Sequence, residues 1–377
     1  MKELEIREGY FPQLTGIRAI AAFMVYIHHF NPFAERYFGK FIHDFFGEFH
    51  IGVTIFFVLS GFLISYRYLD NYKFEKAWFI NYIQNRAARI YPVYFLLTTL
   101  TFIVQYINGD LGIVKTLILF GSNITFIRGF FDELKFTGIA QGWSLTVEET
   151  FYFLAPIIFL FSKKFRIYWQ PAFLILIGIL IVCIFQNFDF FGFFKDFRFM
   201  FLYTFFGRAF EFFCGIFLTL YLKKNKNLKN HFSSGIQKTS FGIIGIMVCI
   251  IGFILVKREA EFGIFQPLGI FINNIILPVF IALLFGGLIY ENSWVKNILQ
   301  SSLFEWLGKS SYIFYLIHLG IFHSALTSIF KSNSALNYIL IFILLNIISL
   351  LIYKFIEHPL NRIIRSINFL KSNTATR

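Results

Sequence analysis

The sequence has 377 residues, of which 57% are hydrophobic and only 15% charged, and it carries a formal net charge of +13. Soluble domains of this size hold about 25% charged residues, so a soluble globular fold is excluded. The basic surplus lies in short loops between apolar stretches, where it orients helices and meets anionic headgroups rather than nucleic acid.

The first apolar stretch, Leu14–Phe30 (LTGIRAIAAFMVYIHHF), carries Arg18 and His29. Ionisable groups inside a membrane helix cost a few kcal/mol or more each and usually face a functional cavity. Eleven residues at about 100° each bring His29 to within about 20° of the Arg18 face, roughly 16 Å along the axis. His28 points about 80° away, so helix geometry selects His29 as the partner of Arg18. Arg18 and two histidines interrupt the apolar core and no small-residue cleavage site follows, so this segment reads as a retained helix rather than a signal peptide.

Further apolar stretches follow, each near the roughly 20 residues that a bilayer requires. With the first, near 14–31, they predict spans near 50–69, 88–107, 144–162, 168–187 and 200–222. The remaining four lie near 239–256, 268–290, 306–328 and 336–355. The candidate 111–128 is settled by charge. If it does not span, Lys73, Lys76, Arg86, the loops Ser162–Arg166 and Leu222–Lys229, and the tail with Arg362, Arg365, Lys371 and Arg377 all lie inside. That arrangement puts about eighteen Lys and Arg in inner loops against about ten outside. The expectation is an all-α, polytopic membrane protein of ten helices with both termini cytoplasmic, forming a single domain over 1–377. Segment 108–142 becomes a long outer connection with a re-entrant or interfacial piece.

Polar clusters then stand out. Arg86 and Arg89, in NRAARIYPVY, lie at i, i+3 where the chain enters the third span, on one helix face. Guanidinium forks match phosphate oxygens, so this pair is a candidate pyrophosphate holder, with interfacial snorkelling the simpler reading. In QGWSLTVEETFY, Trp143, Ser144, Glu148 and Glu149 open the fourth span, to cap its dipole or to hold a polar acceptor. Arg208 and Glu211, at i, i+3 in FGRAFEFFCG, read as an internal salt bridge or a substrate site. His318 and His323 read as packing residues. Glu357 and His358, before Pro359, read as a cap ending the last helix. Cys183, Cys214 and Cys249 have no metal-ligand spacing and read as packing residues, and no metal is expected.

Taken together and in order, these segments resemble the membrane acyltransferase family 3, bacterial integral-membrane enzymes that O-acylate sugars. Leu14–His29 is similar to its Arg-x10-His signature, and Gly52–Ile64 (GVTIFFVLSGFLI) to its second-helix pattern. Arg86–Tyr94, Trp143–Tyr152 and Arg208–Gly215 resemble its RxxRIYP, WSLxxExxFY and RxxEFxxG blocks. Gly308–His318 (GKSSYIFYLIH) and Phe355–Pro359 (FIEHP) complete the series, while His28 doubles the histidine of the signature.

The resemblance implies transfer from cytoplasmic acyl-CoA, usually acetyl-CoA, to a hydroxyl of a cell-surface or lipid-linked saccharide at the bacterial inner membrane. Some members add an esterase-like domain, for which the residues after the tenth span leave no room, so the stand-alone form is expected. Arg86, Arg89 and Arg18 are then expected to hold the donor's phosphates, and His29 to act as general base. Arg18 is a candidate to stabilise developing charge as well. Glu148 and Trp143 are expected to orient the sugar, with Ser144 and Arg208 as further substrate contacts. The alternative from another class is a transporter, whose intramembrane charges would mark a substrate or proton path. It predicts internal repeats and paired broken helices. No repeat is visible, and Pro156 and Pro278 are the interruptions that suit it.

Overall fold

The computed structural model describes residues 10–162, 167–188, 190–225, 237–330 and 335–367. Among them the chain is all-α as expected, and β-pairing is confined to one isolated bridge between Phe131 and Phe193. The principal helices are α1 (Pro12–His29), α2 (Gly52–Tyr68), α3 (Lys76–Ile107), α4 (Trp143–Ser162), α5 (Gln170–Phe185), α6 (Phe205–Lys224), α7 (Gln237–Val256), α8 (Leu277–Tyr290), α9 (Ser302–Ile317) and α10 (Ala335–Ile352). Parts of the basic loops, 163–166 and 226–229, and the tail residues Lys371 and Arg377 lie outside the described residues.

Eight helical runs among the described residues are long and apolar enough to cross a bilayer. A ninth arises if α9 and the helix Ile321–Ile329, bent by 86°, form one broken span. The tenth expected span, α1, does form, with 18 residues. Gln13, Arg18, His28 and His29 keep it less apolar than the others. Segment 111–128 contributes only the 12-residue helix Ile113–Ile124, about 18 Å long and too short to cross.

Three boundaries differ from the sequence expectation. First, α3 begins at Lys76 rather than near residue 88 and runs through Pro92, so Arg86 and Arg89 lie well inside a helix and not at its entry. Second, the span expected over 306–328 is broken after Ile317, and Gly320, with φ of 77°, takes the left-handed conformation that turns the chain. Third, Glu357–His358–Pro359 does not end the last helix. The backbone passes through a π-turn at Tyr353–Glu357 and continues as the helix His358–Ser366. Pro359 sits in the first turn of that segment, where its missing N–H removes no necessary hydrogen bond.

By packing the chain forms two compact units, one from the stretch up to Asn71 with Arg208–Ser311, the other from Tyr72–Gly207 with Tyr312 onward. In the first, Leu14, Ile17 and Ala21 of α1 and Ile55, Val58 and Phe62 of α2 share a core with Leu218, Phe253, Ile281 and Phe285. Because lipid tails are as apolar as these side chains, close backbone approach matters more than hydrophobicity here. A Cβ on Gly61 would overlap the Phe212 carbonyl, and one on Gly215 would meet Val58 and Phe62, so α2 and α6 touch through their backbones.

The second unit is tied by buried hydroxyls and amides. Tyr82 Oη donates to the Tyr152 carbonyl at 3.0 Å, and Tyr312 Oη to that of Ile90 at 3.0 Å. Asn361 Nδ2 donates to the Ala88 carbonyl at 2.9 Å, fastening the last helix to α3. The fully buried Arg128 donates to the Thr137 carbonyl and to that of Ile139 (2.6 Å), closing the loop ahead of α4 on itself.

Candidate active site

The first unit gathers imidazoles where α1 ends. His29 is exposed, and its Nδ1 lies 2.8 Å from the Val25 carbonyl one turn back. A carbonyl only accepts, so Nδ1 carries the hydrogen and the lone pair of the neutral ring falls on Nε2. His28 is half-buried, with Nδ1 2.5 Å from the Gly47 carbonyl and its ring 4.5 Å from that of Phe262. The His28 ring meets His29 edge-on at 5.0 Å and His50 edge-on at 5.7 Å.

Behind this pair stands a carboxylate that no sequence motif marks. Glu48 is 1% exposed, and its Oε2 lies 3.0 Å from His50 Nε2. Its Oε1 accepts from the Gly263 backbone N–H at 2.7 Å. Nearby, the Lys257 ammonium lies 2.6 Å from buried Asp44. Glu48 and His50 sit on a single 3₁₀ turn, Glu48–Ile51, just before α2. The available signal was the tight spacing of Glu48, His50 and the GVTIFF block, but only tertiary contact with α1 gives that spacing meaning.

Arg18 is half-buried on α1, eleven residues before His29 as its helix register requires. Arg208 is buried, and both Nε and Nη2 donate to Glu211, the Nη2 bond being 3.0 Å. Nη2 also donates to Thr54 Oγ1 at 3.1 Å. Thr54 in turn donates to Asn273 Oδ1 at 3.2 Å, and Asn273 Nδ2 to Asn274 Oδ1 at 2.8 Å. The salt bridge expected at i, i+3 is present, but as one part of a buried network. The two asparagines lie in a π-turn, Ile272–Ile276, a distortion frequent at functional sites. Adjacent asparagines in an otherwise apolar span were the signal for it.

The remaining candidates belong to the second unit. Trp143 is half-buried and meets Tyr203 edge-on at 5.0 Å. Ser144 is buried, its hydroxyl 2.8 Å from Tyr315 Oη and 3.0 Å from the Gln141 carbonyl. Glu148 accepts from Tyr152 Oη, and the Arg86 guanidinium lies 5.8 Å over the Tyr152 ring. Arg86 is buried and close enough to Glu149 to attract it, while Glu148 repels the same carboxylate. Glu357 acts on Tyr312 in this same region. Arg86 and Glu148, expected at opposite ends of the membrane, therefore share one polar cluster inside the helix bundle of this unit. Arg89 is half-buried one turn along α3. His318 is fully buried, with Nδ1 2.7 Å from the Tyr315 carbonyl, a packing residue as expected.

An exposed imidazole of fixed tautomer, backed by further imidazoles and a buried carboxylate, is equipment for moving a proton from a hydroxyl. Comparison with known proteins gives the family. The model of the family described as "Acyltransferase domain" matches residues 11–354, and the chain belongs to this acyltransferase family. It is similar to a protein named "Putative O-acetyltransferase" from Staphylococcus aureus (strain COL), at 26% identity over 94% of this chain and 58% of the relative. It is also similar to "Putative peptidoglycan O-acetyltransferase YrhL" from Bacillus subtilis (strain 168), at 25% identity over 93% of this chain and 55% of the relative. "O-acetyltransferase OatA" of Staphylococcus aureus (strain NCTC 8325 / PS 47) matches at 28% identity over 40% of this chain and 25% of its own length. The chain thus spans between half and two thirds of the length of the first two relatives. No solved structure matches it.

Proposed function

We propose that this multi-pass membrane protein transfers an acyl group, acetyl in the first instance, from acyl-CoA to a saccharide hydroxyl. The observation that carries the reading is His29 at the end of α1, its Nδ1 held by the Val25 carbonyl, so that Nε2 is the basic nitrogen. A neutral imidazole with its lone pair on Nε2 can take a proton from a hydroxyl. In the step proposed, Nε2 takes the hydroxyl proton as the oxygen attacks the thioester carbonyl. The C–S bond then breaks, and the CoA sulfur leaves as a thiolate that recovers a proton.

Donor recognition falls in this reading to Arg18, Arg86 and Arg89. Arg86 is buried within the second unit, so Arg89 and Arg18, both half-buried, carry the larger share. The roughly 16 Å from Arg18 to His29 along α1 suits a pantetheine arm lying beside the helix. Glu148, Trp143 and Ser144 are the proposed acceptor contacts. Arg208 moves to a supporting role, since its donors are engaged by Glu211 and Thr54. The distribution of basic loops supports an orientation with both termini cytoplasmic, and the bacterial relatives support the inner (cytoplasmic) membrane of a bacterium. The similarity to a Bacillus subtilis protein named as a putative peptidoglycan O-acetyltransferase favours a cell-wall glycan as acceptor.

The test compares surface glycans by mass spectrometry from cells with and without the protein. A gain of one acyl mass per modified sugar supports the reading and identifies the group and the polymer together. Identical spectra, with isotopically labelled acetyl-CoA untouched by the purified protein in liposomes, contradict it.

A further inference from the structure

The geometry points to a phospholipid site in the first unit: one acyl chain in the groove between α6 and α8, with an anionic phosphate headgroup at Lys238. The groove encloses about 370 Å³. Its wall on α6 comes from Phe210, Cys214, Phe217, Leu218 and Tyr221, which recur at helical spacing on one face. The facing wall is a second such stripe on α8, ending at Gly286.

Length and polarity both select a lipid of one leaflet. From Phe210 to Tyr221 the stripe rises roughly 16 Å, about half of a hydrocarbon core of roughly 30 Å. At one end the apolar lining stops, and the Lys238 ammonium stands 3.2 Å from Tyr221 Oη and 5.1 Å from its ring centroid. Lys223 and Lys224 close the same end of α6. Of the acids nearby, Asp70 pairs with Lys223 at 2.7 Å. Glu291 caps α7 through the backbone N–H groups of Lys238 and Thr239, at 2.7 and 3.0 Å. A cation ending a half-membrane apolar groove complements a phosphate joined to an acyl chain. In the orientation proposed above, on which this inference rests, this end lies in the cytoplasmic leaflet, the one rich in anionic lipid.

Gly286 keeps the groove open. A Cβ there would come no nearer than 3.4 Å, to Leu218, so a larger side chain would enter the groove without displacing backbone. The experiment uses the full chain in nanodiscs of mixed phosphatidylglycerol and phosphatidylcholine, followed by native mass spectrometry of the protein released with its bound lipid. The wild type is expected to retain about one lipid equivalent, enriched at least several-fold in phosphatidylglycerol. Gly286→Leu should lose that equivalent, and Lys238→Gln should keep a lipid but lose the enrichment, both with melting temperatures near the wild type. Retention without headgroup preference in the wild type overturns the proposal, as does unchanged binding in both variants. A wild-type dimer that Gly286→Leu dissociates, with no lipid retained, overturns it in favour of a second copy of the chain on this face.

Discussion

His50 Nε2 lies 3.0 Å from a carboxylate oxygen of Glu48, a side chain 1% exposed, and the far side of the His50 pair is the His28 ring. The carboxylate thus closes the buried end of a row of imidazoles whose exposed end is His29. In a low-dielectric setting such a charge favours any imidazole that has just taken a proton.

Glu48→Gln should lower kcat for acyl transfer by about tenfold or more with KM for the donor little changed, a smaller loss than the roughly 10²–10⁴-fold for removing the base itself. The amide oxygen still accepts from Gly263, so the fold is kept. Glu48→Asp should recover part of the rate. Steady-state kinetics in liposomes checks it, and a loss confined to KM would refute the role.

Arg208 and Glu211 form a buried ion pair that also anchors Thr54. Removing one partner leaves an uncompensated buried charge, at a cost of about 3–5 kcal/mol. Arg208→Met should therefore lower the melting temperature in detergent sharply. The double change Arg208→Met with Glu211→Leu should lower it less. Equal or greater loss in the double variant would show that the pair is not the stabilising element.

Gly61→Leu should separate α2 from α6, because even a Cβ there overlaps the Phe212 carbonyl. Overpacking of this kind costs about 1–3 kcal/mol or more. Thermal aggregation followed by size-exclusion chromatography should show early loss of the monodisperse peak. Gly121→Leu, at a glycine with open space around the missing Cβ, should not show it.

Asp132 predicts an acid-sensitive loop contact. Partial burial raises its pKa, but hydrogen bonds from Lys135 (2.5 Å) and Lys195 (3.1 Å) outweigh that and hold it below the usual carboxylate value. A lowered folded value means that the contact stabilises fully above about pH 4 and is lost as pH falls through the folded value. The segment 190–195, joined to Asp132 by its backbone bond to Gly192 at 3.0 Å, should loosen over that range. Asp132→Asn should show the same loosening at pH 7, read by hydrogen exchange corrected for intrinsic rates.

Much of this was legible in the residues. Apolar length located the helices, and the i, i+3 spacing of Arg208 and Glu211 announced their ion pair. The start of α3 was hidden because Pro92 and the cluster of arginines look like a helix entry, whereas neighbouring contacts such as Tyr82 with Tyr152 carry the helix on below them. The single cluster of Arg86, Glu148 and Glu149 could not be read, since helix stagger is set by packing and not by loop charge. Glu48 and His50 were missed for a related reason: a four-residue turn has no periodicity, and its partners Gly263 and His28 come from distant stretches.

The most direct measurement is acyl transfer from labelled acetyl-CoA by His29→Ala and His28→Ala proteins, both inserted and expressed at the wild-type level. Loss of roughly 10²–10⁴-fold in His29→Ala, with a smaller loss in His28→Ala, is the predicted result. Full activity in His29→Ala would contradict the account.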